Sequence, residues 1–327
     1  MATVVEESIF DKYLKLAKIS PYDISLDGAR LYMESQTNFI NTLNIHILNE
    51  YNMFDFGGDV VGAFNEKNAF KAFHRILGAV SKLLRRAIEI VFGVTKKFLA
   101  MSVDVALDNK EFLKKYGTRL LSVRGNPRIY LERSHNMDIA RLKDVGIIAN
   151  NNFSATYSVY IDLLKLGQVS NEESAEEYEY ELANHIYDQR TKVIYALTGD
   201  EPGNVSDEKY PDLLNNALFG DEEPGYFNLN YAIGIVKSYD DIIAFIKKLS
   251  VEVSSSLAKR LKAIDEIRKR TNTPEDVKPI FIKQCKLLSG YTNQSTNDII
   301  ATLNIMMDYA NSANRQAKAV CIKALQQ

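Results

Sequence analysis

Ten apolar residues, Phe70, Phe73, Leu77, Val80, Leu84, Ala87, Val91, Val94, Phe98 and Met101, recur at alternating spacings of three and four. A strand would send neighbours to opposite faces and scatter this set, whereas a helix with an effective 3.5-residue period gathers it into one line. The pattern lasts more than four heptads and therefore predicts a long helix with a packed seam. Ile76, Leu83 and Ile90 widen the stripe, as expected inside a bundle rather than an isolated dimer. Asn65 is placed to cap the helix, with Glu66 in the first turn where a carboxylate suits the helix dipole. Gly78 and Gly93 each cost about 1 kcal/mol in a helix interior, so they are expected to mark close helix–helix contacts or slight bends.

A second seam closes the chain. Ile299, Leu303, Met306, Ala310, Ala313, Ala317, Val320 and Ala324 are again spaced four and three, and its side chains shrink toward the C-terminus. Alanine leaves room only for a closely approaching backbone, so a neighbouring helix is expected there. Between the seams, Ile242, Ile246, Leu249, Val253, Leu257, Leu261, Ile264 and Ile267 line one face of another long helix. With only seven prolines and sixteen glycines in 327 residues, such helices can run uninterrupted. The expected fold is mainly α, a multi-helix bundle of long heptad-patterned helices.

The punctuation divides the chain further. Residues 1–62 read as an N-terminal helical segment, with Ser20-Pro21 ending one helix, Asp27 capping the next and Phe54–Gly58 forming a turn. Residues 63–197 hold the basic long helix and a central helical region. Asp108 or Asn109 is read as starting a short helix through Tyr116 that Gly117 stops. Residues 119–135 read as a small hairpin or extended insertion around Arg124-Gly-Asn-Pro127. Residues 198–227, rich in Gly and Pro, read as a loop or boundary, and 228–327 as a C-terminal helical domain, with one helix closing at Leu287-Leu288 before Ser289-Gly290.

The net charge of −2 conceals segregation. From Lys67 to Arg128 the chain is strongly basic, including Lys71, Arg75, Lys82, Arg85, Arg86, Lys96 and Lys97. Acidic residues cluster at Glu172, Glu173, Glu176, Glu177, Glu179 and Glu181. Such asymmetry suggests a basic segment meeting an acidic one, within a subunit or between neighbours, with nucleic acid as the rival partner for 67–128. The aromatics Phe70, Phe73 and Phe98 sit in the seam, where they cannot stack on bases, which disfavours nucleic acid. The regularity of the seam likewise disfavours a helix lying on a membrane surface. The most apolar stretch, Ile88 to Val103, is broken by Glu89, Lys96 and Lys97, so no transmembrane segment is expected. No basic-then-apolar leader opens the chain, and Cys285 and Cys321 read as buried thiols of a reducing compartment.

Catalytic constellations are scarce. The four histidines are far apart in sequence, and Glu177, Glu181 and His185, at i, i+4 and i+8, read as a solvated acidic face rather than metal ligands. Gly57-Gly58 lacks the Lys-Ser/Thr of a phosphate loop. No catalytic, metal or cofactor site is expected.

The order of segments carries a resemblance. Glu7-Ser-Ile-Phe-Asp-Lys-Tyr-Leu-Lys-Leu16 precedes a helix ending near Gly57-Gly58-Asp59. A long helix follows, from Phe70-Lys-Ala-Phe-His-Arg-Ile-Leu77 through Val94-Thr-Lys-Lys-Phe-Leu99, and then Asp108-Asn-Lys-Glu-Phe-Leu-Lys-Lys-Tyr116. Over residues 5 to about 120 this resembles the virion structural proteins of large tailed bacteriophages, of the internal head or prohead-core kind. The resemblance implies a structural role without catalysis in a capsid, internal head, neck or tail. Its implied partners are other virion proteins and the chain itself, in a virion after synthesis in the host cytoplasm. It supplies no functional residues. The expected assembly seam is therefore read from the heptads alone: Phe70, Phe73, Leu77, Val80, Leu84, Val91, Val94, Phe98 and Met101, with Ala310, Ala313 and Ala317.

Overall fold

The computed structural model describes residues 66–166, 172–200, 202–203, 205–206 and 209–326. The helices expected within 1–62 and the Asn65 cap lie outside the described residues. Helix α1, Glu66–Ser122, contains the first seam and runs 57 residues, about 85 Å at 1.5 Å per residue. Gly117 does not stop it, contrary to expectation. Phe112, Leu113 and Tyr116 pack on the core and Leu120 is fully buried, so apolar contact continues past the glycine. The stop comes at Gly125 and Asn126, whose φ values of 81° and 46° leave the helical region, followed by Pro127.

Strand β1, Arg128–Ser134, follows that turn and pairs antiparallel with β2, Glu223–Asn228. Of the hairpin and the extended segment expected near 119–135, Arg128–Ser134 is the extended one, and its partner is long-range, with Ile129 opposite Phe227 and Leu131 opposite Gly225. Ile129 and Leu131 face the core, while the rings of Tyr130 and Tyr226 pack at a tilt outside with centroids 5.2 Å apart. A Cβ on Gly225 would lie 2.7 Å from Ser134 Oγ, which explains a glycine there.

Helices α2 (Ile139–Ala155), α3 (Ser158–Leu166) and α4 (Glu172–Thr198) lie between the strands in sequence. So does α5, Lys209–Phe219. Asp138 caps α2 by accepting from the Arg141 amide at 3.1 Å. The segment read as a loop therefore carries both α5 and β2. Tyr210, Leu214 and Leu218, at i, i+4 and i+8, bury one face of α5, a period that the surrounding Gly and Pro obscured.

Helix α6 (Leu229–Lys237), α7 (Tyr239–Arg270) and α8 (Pro279–Gln326) complete the fold. Between α7 and α8, Thr273 and Asp276 form a capping box on a short 3-10 turn. Gly290 does not divide α8, which continues for 48 residues. Leu288, Tyr291, Thr292, Ser295 and Thr296 are buried on either side of that glycine, so packing holds the helix through it.

Helix α8 is the central pillar, touching every other described helix and β1. Helix α1 lies along α7 and α8, and Phe73 meets Phe281 with ring centroids 5.3 Å apart. One continuous hydrophobic cluster includes residues from all eight described helices and from β1, on both sides of the 198–227 segment. Gly146 marks a close approach, since a Cβ there would meet Met306, Leu249 and Phe245 at 2.6–3.1 Å. By contrast nothing lies within 4 Å of a Cβ on Gly78 or Gly93, so of the two alternatives expected there, a close contact or a slight bend, the close contact does not hold.

Candidate functional site: the outer faces of two helices

The inner seam of α1 is closed within the chain. Phe73, Leu77, Val80, Leu84, Val91, Val94 and Phe98 are buried, Phe70 and Met101 half-buried, and Ala310, Ala313 and Ala317 of α8 buried. With α7 and α8 packed along α1, the seam is occupied and offers no contact to another molecule. A heptad specifies that a partner helix exists, not which chain supplies it.

The pillar carries a polar ladder that its apolar seam did not announce. Arg190 of α4 forks onto Asp298, Nε to Oδ2 at 2.7 Å and Nη2 to Oδ1 at 3.1 Å. Thr292 donates its hydroxyl proton to the Leu288 carbonyl, so Tyr160, 2.6 Å away, donates to Thr292. Tyr210 likewise donates to Thr302, whose own proton goes to the Asp298 carbonyl. Tyr239 donates to Asn311 at 2.5 Å, and Asn109 of α1 donates to Asn314 at 2.8 Å. Each rung joins α8 to a different helix and favours one register. Burial pushes the phenols of Tyr160, Tyr178, Tyr210, Tyr239, Tyr291 and Tyr309 above their ordinary range, so they stay neutral.

Arg260 of α7 is fully buried. Its Nη2 donates to the Phe153 carbonyl and to Thr156 Oγ1, and its Nη1 to Ser256 Oγ at 2.8 Å. The guanidinium lies 3.7 Å from the centroid of the Phe153 ring. A cation against the last carbonyls of α2 satisfies acceptors that have no intrahelical donor. Its role is to staple α2 to α7.

Glu177, Glu181 and His185 do share a helix, α4. Among the described residues no group of three or more His, Cys, Asp or Glu side chains is placed to hold a metal ion. No described helix is long and apolar enough to cross a membrane. Cys285 and Cys321 are free and buried, and burial raises both thiols, Cys321 to about 11. A cleft of about 600 Å³ beside the α7–α8 turn includes Asp276, but that carboxylate accepts from the Asn272 and Thr273 amides.

Among the described residues, the outer faces of α1 and α4 combine exposed charge with exposed apolar side chains. Lys71, Arg75, Lys82, Arg85 and Lys96 are exposed, Arg86 and Lys97 half-buried, and Arg86 pairs with Glu89 at 2.8 Å. Among these cations stand apolar side chains that the heptad reading did not single out. Phe92 is 70% exposed, Leu121 62%, Val103 57% and Leu107 55%. At 100° per residue these four fall within about 60° of one another, in line with Arg85, Lys96 and Lys114. The signal was present as large apolar residues lying off the seam. On α4 the outer face carries exposed Glu173, Glu176 and Glu177 with Tyr180, Tyr187 and Tyr195. Glu179 pairs with Lys283 at 3.3 Å.

No family model, curated protein or solved structure matches the chain. Helical bundle architecture by itself assigns no activity.

Proposed function

We propose that this chain is a structural assembly protein that works through helix faces without catalysing a reaction. On the resemblance of residues 5 to about 120, we place it in the particle of a tailed bacteriophage. The observation that carries the reading is the outer stripe of α1, where Phe92, Val103, Leu107 and Leu121 stand exposed between cations on a rod about 85 Å long. Phe92, Val103, Leu107 and Leu121 align on one face of a rigid helix, so a single partner surface can meet all four. The partners are other particle proteins and further copies of the chain, with no cofactor. Quantitative mass spectrometry of purified particles tests this: a fixed copy number per particle is expected, and absence from the particles would overturn the placement.

The exposed cations favour one rival reading, a nucleic-acid-binding or packaging-associated role for 67–128. A contact neutralising six phosphates would lose about 10³ in affinity between 50 and 200 mM salt. Sub-micromolar duplex binding that persists at 300 mM salt would promote that role over assembly.

A further inference from the structure

We propose that the outer face of α1 is a docking surface for a second copy of this chain, and that it takes the acidic outer face of that copy's α4. The proposal rests on the assembly reading and names its partner. Lys82, Arg85 and Lys96 are exposed and make no ion pair among the described residues, and the same holds for Glu173, Glu176 and Glu177. Opposite charges thus stand unpaired on two separate faces of one molecule. They cannot neutralise each other within it, because α1 packs on α6, α7 and α8 whereas α4 packs on α2, α3, α5 and α8.

The apolar groups match as well. The α1 face offers Phe92 and Val103, and the α4 face offers Tyr187 and Tyr195, all exposed. Arg85 and Val103 are 18 residues apart, as are Glu177 and Tyr195. Both separations are about 27 Å along a helix. Two helices running in the same direction can therefore set carboxylate on guanidinium at one end and tyrosine on valine at the other. Tyrosine is suited to such a contact, since it buries a ring while keeping its hydroxyl hydrated.

The proposed contact is head-to-tail, the α1 face of one copy on the α4 face of the next. Each copy that docks leaves its other face free, and the assembly grows into a ring or an open chain rather than stopping at a symmetric dimer. Charge pairing at the rim makes it sensitive to salt.

Sedimentation velocity on the full chain, across concentration and at 50 and 300 mM salt, reads this directly. The wild type is expected to form species larger than dimers that recede at high salt. Lys82→Glu with Arg85→Glu, and separately Glu176→Lys with Glu177→Lys, should each raise the half-assembly concentration about tenfold or more. All four positions are exposed, so the circular dichroism of both variants should match wild type. Mixing the two variants, or combining all four changes in one chain, should restore assembly because the charges become complementary again. Wild-type assembly untouched by either swap, or a mixture that fails to recover, would sink the proposal and leave the assembly reading standing. A chain that stays monomeric throughout and is absent from particles would remove the assembly reading itself. Loss of duplex DNA retention in the α1 variant alone, with oligomers unchanged, would assign the face to nucleic acid. Cross-links from Lys96 to residues 1–65 within a monomer would assign it to the chain's own N-terminal segment.

Discussion

Arg190 and Asp298 meet side-on in the core, with their side chains 3% and 5% exposed and two nitrogen–oxygen contacts of 2.7 and 3.1 Å. Arg190 also donates to the Val205 carbonyl at 2.8 Å, tying the stretch before α5 to the same point. A fork of this kind satisfies both ions directionally, which is what allows them to leave water.

Removing only the arginine strands the carboxylate. Arg190→Ala is expected to cost about 3–5 kcal/mol, read as a shifted denaturation midpoint at constant m-value. Arg190→Met with Asp298→Leu should recover most of that loss, since the desolvation of both charges disappears. A double variant no more stable than the single one would show that the pair contributes more than its charges.

The small end of α8 sets a second expectation. Ala313 and Ala317 are buried within the subunit. Leucine at both positions should overpack the contact at roughly 1–3 kcal/mol per site. The melting temperature should therefore fall even in dilute, monomeric protein. An unchanged melting temperature would mean that the interior around these alanines can yield.

Gly78 and Gly93 sit in helix α1 with open space where a Cβ would stand. Ala at either position should raise stability by about 0.5–1 kcal/mol, through better helix propensity and a less entropic unfolded chain. Thermal melts of the single and double variants would show it. A loss of stability at Gly93 would reveal a contact made by that face.

Alkaline pH should unfold the protein cooperatively. The buried phenols titrate above their ordinary value of 10 because burial disfavours the phenolate. Below pH 10 both states hold their protons and this contribution is complete. Above it the unfolded chain releases protons that the fold retains, so stability falls as pH rises toward the folded values. Denaturation midpoints measured from pH 8 to 11.5 should decline only beyond about 10, and a flat profile would contradict the burial of these tyrosines.

Much of the fold was legible because helical period is a local property. The 3.5-residue recurrence from Phe73 to Phe98, and from Ile299 to Val320, placed the buried positions of α1 and α8 without any knowledge of their partners. Ile242 to Ile267 did the same for α7. What local pattern could not decide is everything that depends on a neighbour. Gly117 and Gly290 read as stops, yet packing on both sides outweighs the ~1 kcal/mol a glycine costs and carries each helix through. Arg128–Ser134 lies in the segment read as a hairpin or an extended insertion; its partner is Glu223–Asn228, and nothing in either segment names the other. Asp298, Thr302, Asn311 and Asn314 are polar and lie off the apolar seam of α8. They became interior only because Arg190, Tyr210, Tyr239 and Asn109 arrive from other helices to satisfy them. The sequence alone determined which faces must be hidden. Only the tertiary structure decided that the chain hides them from within, leaving the outer faces of α1 and α4 open, because burial is settled by whichever surface packs first and best and not by the period of the helix that carries it.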